Sequence, residues 1–294
     1  MISGLRLRAF ADGYPALSAP ARALWRRFNA ARAARERETV MSLMANYAAI
    51  CVGDPCVHVR EFAGDFELDV RSAPFRRLLR RGAYEPELSA ICRRHAEGVV
   101  DALDVGANVG FHSVLLAKLV SGRVLAVEPT SNAGARLERN LERNGVRDRV
   151  IAHRGAVSDR EDTLTIKTIE GREEYSSLGE LVHPAVRGER WVEETVRVDT
   201  LDALVAHHGL APGFMKIDVE GFEHRAIAGA TELLTRHRPV IVAELSDPLL
   251  RRNGSSAREV VEALEALDYR VSDPLRPRAR PGTREFGDLL CVPD

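Results

Sequence analysis

Residues 102–113 read ALDVGANVGFHS, and this stretch decides the fold because it joins a buried strand to a helix through a glycine turn. A mostly apolar segment, 99–103, leads into it, and residues 114–117 continue as helix. Strand, glycine turn and helix open a nucleotide-binding α/β unit. Gly106 and Gly110 have no side chains, so the backbone can approach a ligand that the helix start faces with free N–H groups. The stretch therefore predicts a ligand-binding turn.

The spacing of this turn differs from that of a dinucleotide loop, which requires G-x-G-x-x-G. Here the pattern is D-x-G-x-x-x-G, with Ala107 and Asn108 where a second glycine would fall. Asp104 adds a carboxylate beside the turn. An added acid favours a ligand that lacks phosphates and carries an ammonium group, as S-adenosylmethionine does. An ordinary turn between strand and helix is the alternative at this point.

Composition excludes several classes of protein. The chain has 294 residues and a formal net charge of −1, so no basic excess indicates nucleic-acid or membrane binding. No segment is long and apolar enough to span a bilayer, and residues 1–10 lack the apolar core of a signal peptide. Cys51 and Cys56 lie near His58, but their spacing matches no standard zinc pattern. We expect reduced cysteines in a cytoplasmic protein with no metal site.

Residues 1–81 are predicted to form a cap before the nucleotide-binding core. Apolar positions between residues 20 and 50 indicate a long helix. Residues 57–62 and 66–70 alternate as a hairpin, and 74–81 indicate a short helix. The apolar face of helix 20–50 is too large to stay exposed. We therefore expect it to pack on the core or to form a homodimer with a second subunit.

From residue 99 the pattern alternates strand and helix, which predicts a parallel sheet. The second strand, 123–127, ends at Glu128, where an acid reaches a ribose diol in this type of fold. The fourth strand, 214–217, ends at Asp218. Since the carboxyl ends of parallel strands line the ligand crevice, Asp104, Glu128 and Asp218 should form one negative rim. Such a rim complements a sulfonium and an ammonium.

Other segments complete this prediction. The small residues of 155–159 would let an adenine ring lie against the backbone, although a plain turn explains them equally well. Strands at 163–169 and 191–198 flank a polar loop, 170–190, of the kind that often forms a lid. The remaining strands are predicted at 149–153, 240–243, 269–271 and 289–292. The remaining helices are predicted at 131–144, 200–208, 222–237 and 255–267.

Motifs along the chain resemble the FkbM family of S-adenosylmethionine-dependent methyltransferases. They are Gly82 to Glu87, Leu103 to Phe111, Ala126 to Pro129, Gly155 to Asp159, Asp199 to Asp202, Lys216 to Gly221 and Leu290 to Pro293. The resemblance covers residues 82–294. It implies a class I methyltransferase domain, an α/β Rossmann-like fold whose seven-stranded, mostly parallel sheet has one antiparallel edge strand. It also implies O-methylation of a sugar or secondary metabolite in natural product biosynthesis, with S-adenosylhomocysteine as the product.

Site residues are predicted from the motifs and their places at strand ends. Those predicted to bind the cofactor are Glu85, Asp104, Val105, Gly106, Ala107, Asn108, Gly110, Ser113, Glu128, Pro129, Thr130, Ala156, Val157 and Asp218. Those predicted to be catalytic are Asp218, Glu220 and His224. Each catalytic assignment has an alternative: Asp218 could bind only the cofactor's amino group, Glu220 could hold the turn at Gly221, and His224 could be a surface residue. Glu85 and His112 are further candidates for the base, and a divalent ion between Asp218 and Glu244 lacks the ligand cluster that would require it.

Two other classes of function remain open from the sequence. A nicotinamide-dependent oxidoreductase shares the acid at the second strand, but the missing third glycine and the Asp218 motif oppose it. A non-catalytic S-adenosylmethionine-binding scaffold is opposed by nothing in the sequence.

Overall fold

The structure is a computed structural model that describes residues 54–169 and 191–294. The predicted helix 20–50, its proposed dimer contact, Cys51 and the loop 170–190 lie outside the described residues. Residues 54–294 form one compact unit, and the domain boundary predicted between residues 81 and 82 falls inside it. In the described part of the chain, no helix is both long and apolar enough to cross a membrane.

The elements alternate much as the sequence predicts. The strands are β1 (Cys56–Val59), β2 (Gly64–Glu67), β3 (Asp101–Val105), β4 (Val124–Val127), β5 (Val150–His153), β6 (Ala156–Val157), β7 (Asp162–Thr168), β8 (Val192–Asp199), β9 (Pro212–Ile217), β10 (Val240–Ser246), β11 (Tyr269–Ser272) and β12 (Phe286–Pro293). The helices are α1 (Ala73–Arg81), α2 (Pro86–Ala96), α3 (Phe111–Leu119), α4 (Ser131–Arg143), α5 (Leu201–His208), α6 (Glu223–Ala228), α7 (Thr231–Arg236), α8 (Asp247–Arg252) and α9 (Ala257–Glu265).

The main sheet has seven strands in the order β5-β4-β3-β9-β10-β12-β11. Strands β3, β4, β5, β9 and β10 run parallel, and β12 pairs antiparallel with both β10 and β11. This confirms the predicted α/β fold of the class I methyltransferase type. One detail was wrong: the antiparallel strand is second from the edge, because β11 forms the edge itself.

Both faces of the main sheet are covered, which explains why its central strands read as apolar runs. Every residue of β3 and of β4 is buried. Leu103, Val105 and Met215 belong to the hydrophobic cluster on one face, and Ala102 and Phe214 belong to the cluster on the other. The two clusters hold the carboxyl ends of β3, β4, β9 and β10 side by side.

The hairpin of β1 and β2 packs into the second cluster beside the glycine turn. Phe66 lies 4.5 Å from Phe111 between ring centroids, and Tyr84 lies 5.0 Å from the same ring. Asn140 on α4 accepts a hydrogen bond from the Glu67 amide and donates one to the Val109 carbonyl. The hairpin therefore helps to position the start of α3. Its turn is a 3-10 segment, Arg60–Phe62, and not the predicted turn at residues 64 and 65.

Two helical predictions differ from the structure. The predicted helix 222–237 is interrupted between α6 and α7 at Gly229, where a Cβ would lie only 2.0 Å from the Ser158 carbonyl oxygen. This contact is between segments far apart in the sequence, so the pattern of apolar residues gives no sign that the helix is interrupted here. Helices α2 and α8 were not predicted; each begins at or next to a proline, a residue favoured in a first helical turn.

A second sheet, β6-β8-β7, contains the two strands predicted at 163–169 and 191–198. They pair antiparallel, from Asp162 opposite Val198 to Thr168 opposite Val192. Glu194 on β8 accepts a hydrogen bond from the Ser131 amide at the start of α4. This contact ties the second sheet to the main domain.

Candidate active site

A cleft of about 720 Å³ opens at the carboxyl ends of the parallel strands. Its size is within the usual range for small-molecule sites. The acids in its lining are Glu85, Glu128, Asp218, Glu220, Glu244 and Glu285, and the bases are Arg77, Lys216 and Arg252. The Glu244 pKa is raised to about 8, and the acids outnumber the three bases even without Glu244, so the cleft is complementary to a ligand of positive charge.

The glycine turn at Gly106 has no space for a side chain. A Cβ at this position would lie 1.8 Å from the carbonyl oxygen of Asp218, and the backbone φ is +80°. The Gly106 amide donates to the Val127 carbonyl at 3.0 Å, and the Asp218 amide donates to the Val105 carbonyl at 2.9 Å. The turns after β3 and β9 are therefore in direct backbone contact.

Glu128 supports this turn from the end of β4. One of its carboxylate oxygens accepts from the Asn108 amide at 2.9 Å. The other accepts from the Thr130 amide at 2.9 Å and from its hydroxyl at 2.6 Å. Asn108 has a positive φ of 49°, and the hydrogen bond that its amide donates to Glu128 helps to hold this uncommon backbone conformation. Glu128 is thus more than a solvated strand end.

Lys216 lies under the centre of the cleft. Its Nζ donates to the Gly106 carbonyl and to the Asp218 carboxylate, both at 3.2 Å. It also lies 4.0 Å from Asp104. Burial alone would lower the Lys216 pKa, but the carboxylates around it outweigh burial and raise the pKa. Lys216 is therefore a fixed cation that orients Asp218, whose side chain is 31% exposed to the cleft.

Asp104 does not belong to the predicted negative rim, because it lies beneath the cleft and does not line it. It is fully buried, and the Ser113 hydroxyl donates to it at 2.5 Å. Burial raises its pKa, and the Lys216 ammonium opposes that rise. Asp104 fastens the first turns of α3 to β3 from beneath, while Glu128 and Asp218 line the cleft.

Glu223, which was not among the predicted site residues, binds the turn at Gly221. One Glu223 oxygen accepts from the amides of Val219 and Gly221, at 3.2 and 3.1 Å. The second oxygen has no hydrogen-bond partner among the described residues. Burial raises the Glu223 pKa to about 7. Glu220 lines the cleft with a φ of 51°.

Tyr84, Glu85 and His112 form one corner of the cleft. Glu85 has a φ of 44° and precedes α2, and its carboxylate lies 3.4 Å from an Arg77 guanidinium nitrogen. His112 Nε2 lies 3.9 Å from the other Glu85 oxygen. Burial raises the pKa of Glu85, and burial with the Lys216 charge lowers the pKa of His112 far below its usual value.

Glu244 follows the residues of β10 that pair with β9, and it lines the cleft beside Asp218. The Asp218 carboxylate is the largest cause of a raised Glu244 pKa, followed by loss of solvent. Two adjacent acids of this kind could bind a cation, but no group of three or more potential ligands occurs within residues 54–169 and 191–294.

The structure brings most of the predicted site residues to the cleft. Those that line it are Glu85, Gly106, Ala107, Asn108, Glu128, Pro129, Ala156, Val157, Asp218 and Glu220. Those outside its lining are Asp104, Val105, Gly110, Ser113, Thr130 and His224. The first five of these are buried, and His224 lies on α6. His224 is half-buried, so it is not the fully exposed surface residue of the alternative, and its catalytic role stays a prediction.

Sequence reasoning gave no site role to Lys216 or Tyr84. Lys216 had a signal, because a lysine inside a buried strand requires acidic partners. Tyr84 and the rim residue Phe286 had none, since nothing in the sequence shows which aromatic side chains face a cleft.

The parallel sheet, the glycine turn and the acids at neighbouring strand ends define an α/β protein of the class I methyltransferase type. The sequence profile of the methyltransferase FkbM domain matches residues 104–271, which is more than half of the chain. The chain therefore belongs to the FkbM methyltransferase family, as the motifs indicated.

Solved structures with related folds agree only distantly. A methyltransferase FkbM from Methylobacillus flagellatus KT is 18% identical, with a TM-score of 0.42 over 66% of this chain; this chain spans only 43% of that one. A Bacillus cereus O-methyltransferase in complex with S-adenosylhomocysteine is 15% identical, with a TM-score of 0.44 over 87% of this chain and 99% of that one. Aeropyrum pernix fibrillarin with natively bound S-adenosyl-L-methionine is 11% identical, with a TM-score of 0.41 over 82% and 83%. No curated protein sequence matches the chain.

Proposed function

We propose that this protein is an S-adenosylmethionine-dependent methyltransferase that methylates a hydroxyl oxygen of a small molecule, such as a sugar or a secondary metabolite. Family membership supports the methyl transfer. The observation that carries the assignment of the cofactor is the Gly106 turn, closed against Asp218 on one side and bonded to Glu128 on the other. The excess of acids in the cleft fits a ligand whose net charge is positive, as that of S-adenosylmethionine is.

The described residues suggest how the parts of the cofactor would be bound. Glu128 would accept hydrogen bonds from the two ribose hydroxyls, and its negative charge would repel a ribose 2′-phosphate. The backbone of Gly106 to Asn108 lies beside it, and Ala156 and Val157 offer a small, flat surface to the adenine ring. Glu85 and Asp218 would face the positive groups.

Methyl transfer is an in-line displacement in which the bound sulfonium supplies the reactive methyl group. The protein contributes by holding the acceptor hydroxyl in line and by accepting its proton. Asp218 is suited to this task because Lys216 fixes its carboxylate at the cleft floor while the side chain stays partly exposed. Glu244 and Glu220 are the other acids within the same part of the lining. In this proposal Asp218 orients the hydroxyl and takes up its proton as the carbon–oxygen bond forms.

Calorimetry with S-adenosylhomocysteine, S-adenosylmethionine and NAD tests the cofactor. We expect binding of the two adenosyl ligands and none of NAD; heat with NAD alone would refute the proposal. Transfer of a radiolabelled methyl group from S-adenosylmethionine to a panel of free hexoses, glycosides and phenols then tests the reaction. Cofactor binding with no transfer to any of these oxygens would favour the non-catalytic scaffold.

Three finer predictions belong to this proposal. They are a role in natural product biosynthesis, a cytoplasmic location and a homodimer through helix 20–50. Each is supported by the sequence alone.

A further inference from the structure

His112 presents an unused hydrogen-bonding atom to the cleft. It lies in the first turn of α3, is 5% exposed and lines the cleft through its ring. The ring packs edge-on against Phe62, with 4.9 Å between centroids, which fixes its orientation. Nε2 has no hydrogen-bond partner within the residues that the structure describes.

An unpaired nitrogen at this depth is costly. A buried donor or acceptor without a partner loses its hydration and gains nothing in return. Burial and the Lys216 charge lower the His112 pKa, so the imidazole is neutral near pH 7. A neutral imidazole has one N–H donor and one acceptor nitrogen. The unpaired atom therefore indicates a partner that arrives with the ligand.

The neighbour of Nε2 limits what that partner can be. The closest Glu85 oxygen lies 3.9 Å away, too far for a hydrogen bond. A donor beside an acceptor at this separation suits an α-amino acid, whose carboxylate and ammonium are attached to the same carbon. The two cationic side chains of this corner already have partners: Lys216 bonds to Gly106 and Asp218, and Arg77 bonds to Glu85.

We propose that His112 Nε2 donates a hydrogen bond to the carboxylate at the amino-acid end of the cofactor, while Glu85 accepts one from the ammonium of the same carbon. This inference rests on the proposed function, because it assumes an adenosyl cofactor with an amino-acid end. It assigns to His112 a binding role and no part in proton transfer.

Calorimetry with two ligands tests the inference without any methyl acceptor. The ligands are S-adenosylhomocysteine and its decarboxylated form, which keeps the amine and lacks the carboxylate. We expect His112→Phe, which preserves the packing on Phe62, to weaken S-adenosylhomocysteine binding about tenfold to a hundredfold, the usual range for a hydrogen bond to a charged group. The affinity of the same variant for the decarboxylated form should stay within about twofold of the wild-type affinity. His112→Gln, with an amide donor, should recover part of the loss.

His207→Phe is the matched control, since His207 is exposed on α5 outside the cleft lining, and it should bind both ligands as the wild type does. If His112→Phe does not fold, His112→Asn is the second variant, because its amide is too short to reach the Nε2 position. Unchanged S-adenosylhomocysteine affinity in a folded variant would overturn the inference. An equal loss for both ligands would also overturn it, by assigning His112 to the ammonium or to packing. A wild-type protein that binds neither ligand would instead contradict the proposed function.

Discussion

Substitution of Gly106 by alanine tests whether the turns after β3 and β9 need direct backbone contact. The new Cβ would lie 1.8 Å from the Asp218 carbonyl oxygen, whereas ordinary contact begins at 3.4 Å. The two turns would have to separate by about 1.6 Å, the difference between these distances. That movement weakens three hydrogen bonds: Gly106 to Val127, Asp218 to Val105, and Lys216 to Gly106.

The expected loss follows from these contacts. Each hydrogen bond is worth about 1 kcal/mol. An alanine at positive φ costs a further 1–2 kcal/mol, roughly. Together they amount to about 4–5 kcal/mol, which is a large part of the stability of an ordinary domain. The melting temperature should fall by about 10 °C or more for a unit of this size.

Gly145→Ala is the matched control. Gly145 also has a positive φ, +66°, but a Cβ there would meet nothing within 4 Å. This variant should lose only roughly 1–2 kcal/mol of unfolding free energy, the cost of an alanine at positive φ. Urea unfolding of both variants and the wild type without ligand measures the difference, and calorimetry with S-adenosylhomocysteine measures its effect on binding. Equal destabilisation by the two substitutions would refute the close contact between the turns.

Four further predictions follow from other parts of the molecule. Glu128→Ala should cost about 2–4 kcal/mol of S-adenosylhomocysteine affinity, measured by calorimetry, because ribose contacts and the Asn108 bond are both lost; unchanged affinity in a folded variant would contradict this. Asp218→Asn should lower kcat on the order of a hundredfold at saturating cofactor, whereas recovery of kcat at saturation would leave Asp218 only a cofactor contact. The raised pKa of Glu223 means that the folded wild type binds more protons than the unfolded chain between about pH 4.5 and about pH 7, so the wild type loses stability as pH rises through that window. Glu223→Gln does not titrate and should therefore gain up to about 3 kcal/mol of unfolding free energy relative to wild type over the same window, measured by urea unfolding. A difference that does not change with pH would contradict the raised pKa. Deletion of residues 1–52 should lower solubility or change the mass found by light scattering, and no change in either would contradict the packing predicted for helix 20–50.

The central strands and the glycine turn could be predicted because their causes are local. Buried parallel strands such as β3 and β4 read as apolar runs, and Gly106 marks a turn that a side chain would block. The family resemblance added the antiparallel strand, which no local pattern distinguishes. Local patterns could not place β12 next to β10, because the pairing partners of a strand depend on the whole sheet.

The site was harder to predict, since acids at strand ends look alike in a sequence. Glu128 and Asp218 each follow the last residue of a strand, whereas Asp104 lies inside β3, level with Ala126 and Lys216, and is fully buried beneath Ser113 of α3. Glu220 and Glu223 are three residues apart, and only the fold shows that Glu223 binds the turn amides. The pattern identifies which residues approach the cleft, while packing decides which of them face it.

The burial of Lys216 has a practical consequence for handling the protein. The chain has three lysines, Lys118, Lys167 and Lys216, and Lys216 is 4% exposed and held as an ammonium by its acidic neighbours. Amine-directed reagents need an accessible, deprotonated amine, so they should spare Lys216. Lys118 is exposed on α3, and Lys167 is half-buried with its Nζ 4.3 Å from the Trp191 ring centroid. Fluorophores or surfaces coupled through lysine side chains should therefore attach chiefly at Lys118 and leave the floor of the cleft chemically intact.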